Sequence, residues 1–181
     1  MMSSLFNISF KAISLDENGI VIDDLKKYDI NIAYVTPSHQ FPTGAIMSIS
    51  RRTELLNWAN ENLDRYIVED DYDSEFKYTG RPIPALKAND INDKVIYLGS
   101  FSKSISPAIR VSYLVLPKAL LNIYQRELPY FICPVPTLNQ KILYRFIKEG
   151  HFVKHINKMR TLYKKKREFL VNTIKSYSSE I

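Results

Sequence analysis

Up to Pro117 the chain alternates between two hydrophobic periods, and beyond it only one persists. Short runs with strand character occur at Phe10 to Leu15, Ile30 to Val35, Tyr66 to Asp70, Lys94 to Leu98 and Val111 to Leu116. Between them the apolar spacing predicts a short helix over Val21 to Tyr28. A longer one, capped by Ser48 or Ser50, runs to about Leu63, with Leu55, Leu56, Trp58 and Ala59 on its apolar face. Trp58 lies in the middle of that helix and reads as packing. Asp16-Glu17-Asn18-Gly19 is a turn, and Tyr78 to Asp93, with Pro82 and Pro84, is loop-rich. After Pro117 helical spacing marks Lys118 to Glu127, Thr137 to Lys148 and a long run from His151 to about Ser176. At the rise of an α-helix the last is about 35 to 40 Å long, enough to cross a domain. Strands alternating with helices predict an α/β fold.

Two segments carry candidate chemistry. The first is Gly99-Ser100-Phe101-Ser102-Lys103-Ser104-Ile105-Ser106-Pro107-Ala108-Ile109-Arg110, which begins where the apolar run Lys94 to Leu98 ends. Open α/β sheets bind ligands at the carboxyl ends of their strands. There a lysine amine can form a Schiff base with an aldehyde, while the Ser100 and Ser102 hydroxyls and the planar Arg110 guanidinium suit phosphate oxygens. Together these groups point to pyridoxal phosphate, although a solvated Ser-rich loop has the same composition. The second segment, Tyr66 to Phe76, runs an apolar strand into the carboxylates of Glu69, Asp70, Asp71, Asp73 and Glu75. Strand alternation puts Asp70 and Tyr72 on one face and Glu69, Asp71 and Asp73 on the other. An anion at a pyridine nitrogen and a phenol at the ring oxygen are what such a cofactor needs. On the carboxylates alone, a divalent-metal site stands level with that reading.

Three blocks, Tyr34-Val35-Thr36-Pro37-Ser38-His39-Gln40-Phe41-Pro42-Thr43-Gly44, Glu69 to Phe76 and Ser100 to Arg110, resemble consecutive blocks of fold-type-I, class I/II aminotransferase-like proteins. The wording Pro-Ser-His-Gln-Phe-Pro-Thr-Gly and Glu-Asp-Asp-Tyr-Asp-Ser-Glu-Phe is closer to bacterial transcription regulators of the MocR/GabR type, within the GntR superfamily. The resemblance implies a three-layer α/β sandwich with a mostly parallel sheet, the large domain of that fold, incomplete and ending in a long C-terminal helix. It implies a partial cofactor-binding large domain over residues 1–150 and, over 151–181, a linker helix towards a small domain. It makes Lys103 the Schiff-base lysine, Asp70 the partner of the pyridine nitrogen, Tyr72 the donor to the ring oxygen, and Ser100, Ser102 and Arg110 the phosphate contacts. Phe41 stands where many aminotransferases have Asn, a departure that fits the regulators. His39 and Gln40 are either part of the site or polar residues of a loop. The partners implied are a small amine or amino-acid effector and, in a complete protein, a second copy of the chain; DNA would be read by a winged-helix domain that this chain lacks. Three functional classes follow: an effector-sensing regulator domain, an aminotransferase, or a truncated remnant without activity.

Length and composition agree with one good core: 181 residues, 45% of them hydrophobic. A complete fold of the resembled kind needs about twice that length, so a fragment is expected. Neither a signal peptide nor a membrane span is visible, which suggests a cytoplasmic protein. The formal charge of +6 includes Lys164-Lys165-Lys166-Arg167 on the last helix, which reads as a solvated face rather than a nucleic-acid contact. The single cysteine, Cys133, supports no disulfide framework and reads as a buried structural thiol. His151 and His155 share a helix face without a third metal ligand beside them.

Overall fold

A computed structural model describes residues 8–76 and 83–178. Its elements are β1 (Leu15–Asp16), β2 (Gly19–Ile20), α1 (Ile22–Leu25), β3 (Ile32–Val35), α2 (Ile49–Asn60), β4 (Tyr66–Asp71), a 3-10 turn (Leu86–Asn89), β5 (Val95–Ser100), α3 (Phe101–Ser104), β6 (Ser112–Val115), α4 (Lys118–Glu127), α5 (Thr137–Lys148) and α6 (His151–Ser178). The main sheet has the order β3-β4-β5-β6. β3 and β4 run parallel in the register Ile32 to Tyr66 through Val35 to Glu69, an arrangement that requires a crossover, which α2 supplies. The described residues form two compact units, one reaching Asp70 and including Pro84–Tyr97, the other made of the rest.

The first unit holds the main hydrophobic cluster. Ala33 and Val35 from β3, Leu55, Trp58 and Ala59 from α2, Ile67 from β4 and Val95 from β5 pack there with Leu25, Met47 and Leu86. Helix α2 starts where Ser48 caps it, the Ser48 Oγ accepting from the Arg51 N–H at 3.3 Å. Its inward stripe of residues 52, 55, 58 and 59 follows the helical period. Trp58 is fully buried in that stripe, with the Arg65 guanidinium 4.9 Å from its ring centre.

One polar member belongs to the same stripe. Arg52 is buried and donates to the carbonyls of Met47 at 3.1 Å, Pro37 at 2.8 Å and Pro84 at 3.0 Å. Its guanidinium also lies 3.8 Å from the carboxylate of the fully buried Glu69. That carboxylate accepts the N–H of Leu86 at 2.8 Å and of Lys87 at 2.9 Å. A buried charge persists only when it is paired and hydrogen-bonded, and this pair satisfies both conditions.

The sequence overestimates the front of the chain. Only Leu15 and Asp16 of the expected first strand pair, opposite Ile20 and Gly19, because the hairpin is that short and Phe10 to Ser14 have no ladder partner among the described residues. The next helix is confined to Ile22–Leu25, its end tightening into bonds from Lys27 N to Asp24 O and Tyr28 N to Leu25 O, three residues apart. Of the loop-rich span, Tyr78 to Pro82 lie outside the described residues, and the remainder contains the 3-10 turn that Glu69 anchors.

In the second unit α5 and α6 pack together across Gly150, whose φ of +76° is the left-handed turn that ends α5. Phe152 of α6 meets Phe101 edge-on at 6.0 Å and Phe146 at 6.4 Å. Cys133 corrects the sequence reading: it is exposed, in the non-helical segment between Glu127 and Thr137 that buries none of its residues, and its sulfur receives the Gln140 amide at 3.7 Å.

Arg52→Leu removes the side-chain donor from the Met47 and Pro84 carbonyls, leaves the Pro37 carbonyl with the Met47 N–H alone, and removes the guanidinium from Glu69. Its expected cost is about 3 kcal/mol, read as a lowered urea midpoint; an unchanged midpoint contradicts this account of the core.

Candidate active site

The Lys103 segment begins at the end of β5. Gly99 admits no side chain, because a Cβ there would run into the Tyr113 ring. That ring stacks on Phe101 at 5.2 Å. The Ser100 Oγ then accepts from the Ser102 N–H at 3.2 Å, and the Phe101 N–H bonds to the Val111 carbonyl at 2.9 Å. These contacts fold residues 101–104 into the single turn α3, with Ser104 fully buried and Lys103 on the open side. Arg110, exposed, adopts a φ of +47°, a conformation rare for a side chain larger than glycine's and concentrated at functional sites.

Lys103 is engaged from two directions. Its Nζ donates to an Asp73 carboxylate oxygen at 2.7 Å, and it stands 5.2 Å from the centre of the Tyr72 ring. The turn bearing both partners is held by Ser74 N–H donating to Asp71 at 3.1 Å and Phe76 N–H donating to the Asp73 carbonyl at 2.9 Å. Helix α6 fastens it further: Arg160 donates to the Glu75 carbonyl at 2.5 Å, and Tyr163 meets Phe76 edge-on at 5.2 Å. Burial holds the Glu75 carboxyl above its usual range, with the carboxylates of Asp71 and Asp73 adding to the shift and Arg160 opposing it.

In the first unit β4 alternates as expected, with Ile67, Glu69 and Asp71 buried and Tyr66, Val68 and Asp70 half-exposed. Asp70 accepts a hydrogen bond from the Tyr34 hydroxyl. Desolvation of that hydroxyl, then the Asp70 carboxylate beside it, push the phenol up to about 12. Gln40 is spent on its own loop, donating to the Phe41 carbonyl at 2.6 Å and accepting the Thr43 N–H at 3.3 Å. Four carboxylates of the acidic run each have a distinct hydrogen-bond partner. Glu69 serves backbone N–H groups, Asp70 serves Tyr34, Asp71 serves Ser74 and Asp73 serves Lys103.

Three of these residues escape sequence reasoning. Strand parity places Asp73 with Glu69 and Asp71, but does not reveal that its carboxylate, beyond the end of β4 at Asp71, meets Lys103. Tyr34 sits on the exposed side of β3, which alternation reveals, though not its pairing with Asp70. Arg160 reaches Glu75 across 85 residues and leaves no local signal. On the same helix, His151 lies 3.3 Å from Glu149 and His155 packs against Phe146.

The chain belongs to the aminotransferase class I and II family, whose pattern it matches over residues 19–179. Its relatives divide into two groups. It is 47% identical over 162 residues to the uncharacterized HTH-type transcriptional regulator YdeL of Bacillus subtilis, covering 90% of this chain and 35% of that protein. It is 35% identical over 171 residues to the probable rhizopine catabolism regulatory protein MocR of Rhizobium meliloti, covering 93% of this chain and 34% of that protein. Among solved structures, the kynurenine aminotransferase of Pyrococcus horikoshii superposes with a TM-score of 0.83 at 29% identity, over 95% of this chain and 45% of that one. The α-aminoadipate aminotransferase LysN of Thermus thermophilus, solved with N-(5'-phosphopyridoxyl)-L-leucine, superposes with a TM-score of 0.78 at 30% identity, over 93% and 44%. The chain is thus an aminotransferase-like α/β domain that spans about a third of the length of the curated regulators it matches. No helix among the described residues is long and apolar enough to cross a membrane.

Because Glu75 binds its proton more tightly in the folded chain than the usual 4.5 allows, folding is favoured while it is protonated and loses that contribution as pH rises through its raised value. Glu75→Gln should therefore raise the thermal midpoint at neutral pH and lose the advantage under acid conditions. An advantage that does not change with pH contradicts the assignment.

Proposed function

We propose that this chain is the pyridoxal-phosphate-binding, effector-sensing portion of a MocR/GabR-type cytoplasmic transcription regulator. The observation that carries the proposal is Lys103, whose amine projects from the turn after β5 with Tyr72 against it, in a chain whose relatives include both HTH regulators and aminotransferases. The donor set fits the cofactor: one half-exposed amine for an aldehyde, a guanidinium and two hydroxyls for a phosphate, a carboxylate for a ring nitrogen and a phenol for a ring oxygen. When bound, pyridoxal phosphate supplies the aldehyde and a ring that accepts electrons from an attached amine.

The roles of the chain's own groups follow from their chemistry. Lys103 Nζ would be the group that holds the cofactor's aldehyde carbon, the position for which an amine effector would compete. Ser100, Ser102 and Arg110 bind the phosphate, Arg110 through its planar fork. Asp70 holds a proton on the ring nitrogen, and Tyr72 orients the ring through its hydroxyl. Residues 151–181 act as the linker helix towards a small domain, while the large domain's share lies in 1–150. A small amine or amino acid is the effector, a second copy of the chain is the partner in the complete protein, and the exposed Lys164 to Arg167 stay in solvent rather than on DNA.

The likeness to solved aminotransferases favours a second reading, in which Lys103 also moves a substrate proton as general base. Release of a keto acid when an amino acid is added to the cofactor-loaded protein would select it.

Titration with pyridoxal phosphate should produce a visible absorbance band in the wild type and none in Lys103→Ala. Asp70→Asn should bind about tenfold more weakly, since one lost charge-assisted hydrogen bond is worth roughly 1.5 kcal/mol. A band that survives in Lys103→Ala overturns the assignment.

A further inference from the structure

Asp73 is not among the residues that the cofactor reading employs, yet it holds the central one. Its side chain is 11% exposed and that of Lys103 52%, so the carboxylate is fixed in the turn after β4 and the amine comes to it. The Asp73 main chain is tied by its carbonyl to the Phe76 N–H, and the same turn is fastened to α6 through Arg160 and Tyr163. The acceptor is therefore rigidly placed. On the other side of the amine lies the face of Tyr72, whose π-electrons attract a cation. Carboxylate and ring together hold the amine in place, and both contacts must be given up before Nζ can reach an aldehyde carbon.

We propose that Asp73 is a positioning residue whose carboxylate holds the Lys103 amine against the Tyr72 ring, so that Nζ reaches an electrophile only when the ion pair opens. The inference rests on the cofactor reading for its purpose but not for its test. The latch engages two of the groups which that reading assigns to the cofactor, Lys103 and the Tyr72 ring, with each other. For attachment to occur the ion pair must open and Nζ must lose a proton to Asp73 or to solvent. Asp73 thereby controls how readily Lys103 Nζ reaches an electrophile.

The test uses the full chain without cofactor and the probe trinitrobenzenesulfonate, which has neither a pyridine ring nor a phosphate. Lys103 Nζ attacks its ring carbon, sulfite leaves, and the amine proton goes to solvent. Site-resolved labelling at one fixed pH, read by peptide mass spectrometry, is compared at Lys103 and at Lys87, whose partners Asp90 and Asp93 are untouched by the substitutions. Asp73→Asn should label Lys103 about two- to fivefold faster, the range expected for loss of a partly exposed ion pair, with Lys87 unchanged. Asp73→Ser should do the same by a different side chain, while Asp73→Glu, which keeps the carboxylate, should stay near the wild-type rate. Equal Lys103 labelling in wild type, Asp73→Asn and Asp73→Ser overturns the latch, as does an Asp73→Glu rate that matches the Asn variant. The cofactor reading is judged separately by the absorbance of Lys103→Ala, so either proposal can fail while the other stands.

Discussion

The Arg52 guanidinium meets the Glu69 carboxylate inside the first unit's core, and the two charges together bind five backbone groups drawn from two stretches of chain. Those stretches are irregular. The segment from Pro37 to Met47 and the segment from Pro84 to Lys87 have little ladder or helix of their own to satisfy them, and buried backbone groups must be paired. An apolar pair of the same volume would fill the space but take these side-chain partners away, leaving the Pro37 carbonyl with the Met47 N–H alone. Glu69 also fixes which face of β4 is buried, and Asp70 consequently faces the other way, where the Tyr34 hydroxyl meets it.

In the second unit the corresponding constraint is the turn after β4. Asp71 and Asp73 close it by hydrogen bonds, and α6 clamps it from a distant part of the sequence through Arg160 and Tyr163. Such a clamp gives the long helix a role beyond its span, since it holds the two residues that meet the Lys103 amine. The turn α3 is built with similar economy: a serine cap, a fully buried Ser104 and a glycine over which Tyr113 lies fix the turn and leave the lysine side chain half exposed. Asp73 and the Tyr72 ring are its contacts there.

Much of this is legible in the sequence because periodicity reports burial. The cap at Ser48, the stripe on α2 including Trp58, and the helices Lys118–Glu127, Thr137–Lys148 and His151–Ser178 all emerge from apolar spacing. The alternation along β4 correctly separates Glu69 from Asp70. Burial goes on alternating through Asp73, beyond the end of β4 at Asp71, but parity does not reveal that the Asp73 carboxylate meets Lys103. The strand expected at Phe10 reduces to two residues for a related reason: alternation states which residues could pair, not whether a partner is present. Cys133 misleads since its apolar neighbours Phe131 and Ile132 suggest a core that the segment does not enter. Arg52 and Arg160 cannot be ranked above the other arginines from sequence, as their partners are backbone carbonyls far along the chain.

The central claim is that Lys103 is the amine which carries pyridoxal phosphate. Borohydride trapping of the protein mixed with a stoichiometric amount of the cofactor, followed by peptide mapping, tests it most directly. The account predicts a single phosphopyridoxyl group on the peptide containing Lys103. Modification spread over the exposed lysines of α6, with Lys103 no more reactive than the others, would contradict it.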